Sequence, residues 1–179
     1  MSNTSIKKIV ILGPESTGKS TLCELLTQHY NSSWCPEFAR EYLLTNGINY
    51  SYDDLLIIAK GQIALEEEYI QSATHSPLFI DTNMYVMKVW CEFVFGKCHN
   101  WIIDQIAKRK YDLYLLCNID LPWMRDELRE YPDLERRQQL YAIYRQIMEN
   151  QPVPWLDISG SHEERLQKAI AATERILKK

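Results

Sequence analysis

Residues 13–20 read GPESTGKS, matching the phosphate-loop pattern G-x-x-x-x-G-K-[ST] at every fixed position, directly after the apolar run Ile9-Val10-Ile11-Leu12. Such a loop works only where a buried strand delivers it and a helix leaves it. Backbone N–H groups of the turn surround a polyphosphate, and the N-terminal dipole of the helix points at the charge. Both flanks are present: Lys7–Leu12 reads as a buried strand, and Leu22, Leu25, Leu26 and His29 recur at helical spacing. In this setting Lys19 is placed to reach β/γ oxygens, and the Ser20 hydroxyl to complete the shell of a bound Mg²⁺.

The remainder of the chain continues the alternation. Strand-like runs at Ile9–Leu12, Ser33–Pro36, Leu78–Asp81, Leu113–Cys117 and Val153–Ile158 are separated by helical patterns, which is βαβ order. Helices are expected at about Lys19–Tyr30, from Phe38, at Tyr52–Ser72, at Met84–Phe95, at Trp101–Lys110, along Leu140–Met148, and after the capping box opened by Ser161. With no repeat, linker or low-complexity segment, residues 1–179 are read as one three-layer α/β domain, a parallel sheet with helices on both faces.

Composition excludes several partner classes. Lys plus Arg number 20 against 24 Asp plus Glu, a net charge of −4, so a nucleic-acid backbone or anionic membrane finds no basic footprint. The N-terminal MSNTSIKK lacks an apolar core for a secretion signal, no window suits a membrane span, and a cytoplasmic location is expected. Five scattered cysteines without a C-x-x-C pair suit reduced thiols, and Cys91, Cys98 and His99 lack zinc-site spacing. A small-molecule partner is the expectation; residue spacing gives no oligomeric state.

A second acidic element narrows the chemistry. Leu78-Phe79-Ile80-Asp81 is an apolar strand ending in the carboxylate expected opposite Ser20 at the metal. A guanine-reading N-K-x-D is missing, since Cys117-Asn118-Ile119-Asp120 has no Lys, so a GTPase switch is disfavoured. The charged segment from Asp120 through Arg129 to Arg137 is read instead as a helical lid over about 120–138. Its Arg129 and Arg137, with Arg125 as a third choice, would neutralise a moving phosphoryl group. Glu37 and Arg40, after the second strand, stand on the sheet edge where open α/β folds bind ligands. Either Glu37 or Asp81 is placed to handle an acceptor hydroxyl. Tyr85, Trp90 and Trp123 are candidates to sandwich an aromatic ring.

Taken together, GPESTGKSTL, PEFAREYL, FIDTNMYVMKVW, YDLYLLCNIDLPWMRDELRE and PWLDISGSHEER resemble the ribosylnicotinamide kinase domain of NadR-type NAD-salvage proteins, from about Lys8 to the last helix. The resemblance implies a five-stranded parallel sheet in the order 2-3-1-4-5. It also implies ATP and Mg²⁺ as cofactors and transfer of phosphate to the 5′-hydroxyl of a nucleoside, foremost nicotinamide riboside, giving NMN. Carried over to this sequence, Gly13, Pro14, Glu15, Ser16, Thr17, Gly18, Lys19, Ser20 and Thr21 would bind MgATP, with Ser159 and Gly160 against the adenine. Asp81 would lie at the metal and the ribose, Glu37 and Arg40 at the acceptor, and Trp123, Asp126, Arg129 and Arg137 in the lid region. One departure stands out: the family's Asp-Thr-Asp is Asp81-Thr82-Asn83 here, and Asn can hydrogen-bond a ribose but cannot act as a base. A kinase of another nucleoside or small metabolite and a P-loop ATPase acting as a regulatory nucleotide-binding module remain the alternatives. No H-x-G-H pair for adenylyl transfer occurs among the four histidines.

Overall fold

The computed structural model describes residues 6–178. Most of the N-terminal segment read above for a secretion signal lies outside the described residues. Five parallel strands, β1 (Lys8–Leu12), β2 (Ser33–Cys35), β3 (Leu78–Asp81), β4 (Leu113–Cys117) and β5 (Trp155–Ile158), form one sheet in the order β2-β3-β1-β4-β5. This is the expected order. The register places Ile9 beside both Phe79 and Leu113, so β1 is flanked on both edges and its C-terminal end opens at the centre of the sheet.

Alternation along each strand builds two cores. Ile9, Ile11, Phe79, Leu113 and Leu115 face α1 (Lys19–Tyr30) and α7 (His162–Leu177), meeting Leu22, Leu26, Ala169 and Ile176. Val10, Leu12, Leu78, Ile80 and Leu116 face the other side, against Val89 of α4 (Met84–Phe95) and Leu140, Tyr144 and Met148 of α6 (Leu134–Asn150). Both faces of β1 are dry, which is why its sequence is continuously apolar rather than alternating. A third cluster joins α2 (Phe38–Asn46), α3 (Tyr52–Ser72), α4 and α5 (Asn100–Lys108) through Ala39, Leu55, Ile58, Met87 and Ile102.

Several boundaries differ from the sequence expectation. The last strand begins at Trp155 rather than Val153, since Pro154 has no N–H for the ladder. Helix α5 starts one residue earlier and ends two earlier than expected, at Lys108, and is followed by Arg109, whose guanidinium pairs with Glu66 (3.0 Å) and Glu67 (2.6 Å). The larger correction concerns the lid. The segment expected to be helical has no helix before Leu134. Pro122 and Pro132 interrupt it, and its N–H groups at Met124, Glu130 and Tyr131 bond to Ser16 and Glu15 instead of to preceding carbonyls. Among the described residues no helix is long and apolar enough to cross a membrane, and no metal-ligating cluster forms, Cys91, Cys98 and His99 included.

Candidate active site

Loop 13–18 leaves β1 and turns into α1 with three residues at positive φ: Gly13 at 137°, Ser16 at 58° and Gly18 at 78°. Glycine is required at the first of these, because a Cβ there would lie 2.7 Å from the Cys117 carbonyl oxygen of β4. Within the turn, the buried Thr17 hydroxyl donates to the Pro14 carbonyl at 2.8 Å, and Lys19 Nζ donates to the same oxygen at 2.9 Å. The loop is thus held in its curled form by its own side chains. The ammonium caps its mouth.

Beside it, β3 ends in Asp81, only 1% exposed, whose Oδ2 accepts the Ser20 hydroxyl at 2.6 Å. The next residue, Thr82, takes a left-handed φ of 73°, sends its N–H to the Ile11 carbonyl at 3.1 Å and its hydroxyl to Asp81 Oδ1 at 3.4 Å. Both carboxylate oxygens are therefore fixed. Burial pushes the Asp81 carboxyl up from its ordinary value, with Lys19 and then the Ser20 hydroxyl opposing. A hydroxyl and a carboxylate oxygen this close are a hard-oxygen donor pair that fits Mg²⁺.

The phosphate loop opens into a cavity of about 560 Å³ that continues over the edge formed by α2, α4 and α6. Glu37, the residue before α2, lines it. Burial and then the charge of Asp81 push its carboxyl up, opposed by Lys19 and Arg40. Among the described residues, no hydrogen-bond donor reaches Glu37's carboxylate, in contrast to Asp81. Arg40 pairs with Asp126 across the mouth at 3.1 Å. Trp90 also lines the cavity, its indole N–H donating to the Tyr50 hydroxyl at 2.9 Å, and that hydroxyl donates to Glu130 of the lid segment at 2.9 Å.

The cavity gathers Lys19, Ser20, Asp81, Glu37, Arg40, Trp90, Asp126 and Arg129, residues drawn from five separate segments. Other candidates stand elsewhere. Asn83, 1% exposed, is the N-cap of α4, its side chain accepting from the Tyr85 N–H at 3.1 Å, and Tyr85 packs edge-on against Tyr114. Trp123, which does not line the cavity, donates from its indole to Glu15 at 3.4 Å. Arg137 is buried and donates at 3.4 Å to the carbonyls of Ile119 and Leu121, at the base of the lid segment. Ser159 accepts from Lys168, and Gly160 gives its N–H to Asp120 at 2.6 Å.

Two residues of the site were not singled out from sequence. Tyr144 of α6 lines the cavity close enough for the Glu37 charge to raise its hydroxyl further, after burial. In the sequence it is indistinguishable from the apolar stripe around it. Arg165 of α7, 2% exposed, donates to the carbonyls of Thr17 (3.0 Å), Asn118 (3.0 Å) and Gly160 (2.8 Å) and to the Asp120 carboxylate. One guanidinium thus joins the phosphate loop, the end of β4 and the loop after β5. The only sequence signal was an Arg one turn into a capped helix, a place where a cation is unfavourable to the helix dipole and needs another reason.

Comparison with known proteins agrees with this geometry. A family model described as an AAA domain matches residues 8–165. Among curated relatives, the trifunctional NAD biosynthesis/regulator protein NadR of Escherichia coli (strain K12) is 26% identical over 157 residues, covering 86% of this chain and 38% of that protein. Its Salmonella typhimurium counterpart is 27% identical over 130 residues, covering 69% of this chain and 31% of that protein. The chain therefore spans under two fifths of the length of these relatives. Two crystal structures of NadR protein share the fold, one in complex with NR (TM-score 0.77, 22% identity) and one with NAD and AMP-PNP (TM-score 0.73, 21% identity). Each overlap covers 96% of this chain, against 52% and 49% of the NadR chains.

Proposed function

This chain belongs to the AAA domain family, and from that premise we propose that it is an ATP- and Mg²⁺-dependent kinase of a nucleoside 5′-hydroxyl, with nicotinamide riboside as acceptor and NMN as product. The observation that carries this reading is the shared cavity. A complete phosphate loop and a carboxylate with no protein hydrogen-bond donor, Glu37, open into the same space. The cavity extends past the loop over α2, α4 and α6, which leaves room for a second substrate that attack by water would not need, and Glu37 stands within it where an acceptor hydroxyl could give its proton. The NadR relatives and the NadR complex with NR support the choice of acceptor.

Roles follow from what each group already does. Lys19 supplies positive charge at the mouth of the loop, where charge on a transferring phosphoryl has to be neutralised. Ser20 and Asp81 would hold Mg²⁺, which when bound neutralises charge on the terminal phosphates. With both oxygens of Asp81 engaged, Glu37 is the carboxylate left to accept a hydroxyl hydrogen, and its raised pKa sets the protonation state on which this depends. Arg129 lines the cavity from the lid side and would be the lid cation that faces the phosphates. Arg137 acts from behind, fixing the base of the lid segment.

Asn83 does not line the cavity, which supports keeping this acceptor despite the change from the family's Asp. Its side chain is spent on capping α4, so the loss of charge at that position does not remove a base from the cavity. Phosphorus NMR of a mixture of MgATP and nicotinamide riboside tests the proposal: a phosphomonoester signal matching NMN is expected with the wild-type chain and absent with Lys19→Met. ADP and inorganic phosphate without a phosphomonoester would favour the ATPase reading instead.

A further inference from the structure

A carboxylate inside a phosphate-binding loop is electrostatically misplaced, because it sets a negative charge beside a polyanion. Glu15 is such a residue, third in the GPESTGKS loop. The structure shows where its charge is directed. Oε1 accepts the backbone N–H of Tyr131 at 2.6 Å and the indole N–H of Trp123 at 3.4 Å, and Oε2 accepts the backbone N–H of Glu130 at 2.9 Å. All three donors belong to the segment between β4 and α6. The neighbouring Ser16 hydroxyl oxygen accepts the Met124 N–H of that same segment at 2.9 Å.

These bonds replace the ones a helix would have supplied. Residues 121–133 carry no helical ladder, so four of the segment's donors depend on two side chains of the phosphate loop. Arg129 sits between the anchored ends. Its guanidinium donates to the Met124 carbonyl, its own N–H goes to the Asp126 carbonyl at 3.2 Å, and the residues after it are those that Glu15 holds. At the base of the segment stands buried Arg137, whose lost hydration the Glu15 charge partly offsets.

We propose that Glu15 is the lid-positioning residue of this enzyme: its carboxylate fastens residues 123–131 onto the phosphate loop, and so fixes Arg129 at the cavity and excludes water during transfer. The transfer part of this statement rests on the kinase reading above. Glu15 lines the same cavity, and the role proposed for it is exerted through the lid, by the bonds that hold residues 123–131.

The test uses Glu15→Gln, with Ser16→Ala as a second, milder variant that removes the other anchor. A Gln amide presents an NH₂ to at least one of the backbone N–H groups that a carboxylate accepts, so part of the anchorage is lost without change of shape. The first readout is limited trypsin digestion of the full chain, followed by mass of the fragments, since Arg125 and Arg129 are cleavage sites within the segment. Cleavage there is expected about tenfold faster in Glu15→Gln, and faster by a smaller factor in Ser16→Ala. Cleavage within twofold of wild type in both variants, with circular dichroism showing intact folds, would overturn the proposal.

The second readout is the ratio of ATP hydrolysed without acceptor to phosphate transferred with nicotinamide riboside. It is expected to rise several-fold in Glu15→Gln. A loosened lid with an unchanged ratio would refute the water-exclusion part. If the wild-type chain phosphorylates no nucleoside, the kinase reading fails, and the trypsin result still decides whether Glu15 holds the segment.

Discussion

Replacing Arg165 by Met probes the least expected part of the structure. The substitution keeps much of the side-chain volume but removes a guanidinium that makes three bonds to carbonyls, at 2.8–3.0 Å, and one to Asp120. A hydrogen bond with a charged partner is worth about 1.5–3 kcal/mol, yet the four are not additive, and Asp120 is 39% exposed, so its share is near the value of a surface pair, about 1 kcal/mol. Removing one partner of a buried charged network costs about 3–5 kcal/mol. With a urea dependence of about 2 kcal/mol per molar, the unfolding midpoint should fall by about 1.5–2.5 M. Asp120→Asn should cost about 1 kcal/mol, and the double variant should fall short of the sum, because both singles break the same contact. Since the carbonyls held are those of the phosphate loop and of the loop after β5, KM for ATP should rise well before KM for the acceptor does. A midpoint within about 0.3 M of wild type, or two additive single effects, would refute the reasoning.

Lys19→Met should reduce phosphoryl transfer by at least about 10²–10³-fold while leaving the thermal midpoint within a few degrees, as steady-state kinetics and calorimetry will read. Asp81→Asn should raise the Mg²⁺ concentration needed for half-maximal rate by about tenfold or more, because an amide in place of the carboxylate supplies no charge to the ion; an unchanged Mg²⁺ titration would count against Asp81 as its holder. For Glu37 the pKa is raised, so the folded chain holds this proton more tightly than the unfolded one. Its stabilising contribution is complete below the ordinary value of 4.5 and is lost as pH rises through the raised folded value. Thermal midpoints of the ligand-free protein should therefore decline less across that window in Glu37→Gln than in wild type.

The sheet was legible because its signals are local. A phosphate loop demands strand before and helix after, and Leu78–Asp81 and Leu113–Cys117 are apolar runs short enough to be strands and too continuous to face water. The capping box at Ser161 likewise marked the start of the last helix. The lid was misread for a physical reason: its charged, Pro-punctuated sequence has helical composition, but its N–H groups find partners at Glu15 and Ser16, more than a hundred residues away. The same non-locality hid Tyr144 and Arg165, whose roles come from what the fold brings against them. Asn83 entered the candidate site through the family's Asp-Thr-Asp and Tyr85 as an aromatic able to sandwich a ring, whereas in the structure Asn83 caps α4 and Tyr85 packs against Tyr114.

The central claim, that one cavity joins a phosphate loop to a nucleoside acceptor, is met most directly by measuring ADP release from MgATP against a panel of nicotinamide riboside, the common ribonucleosides and deoxyribonucleosides, with product masses determined. The account predicts release that depends on nicotinamide riboside, accompanied by NMN, and that is lost in Glu37→Gln. ADP release at the same rate with and without every nucleoside would contradict it.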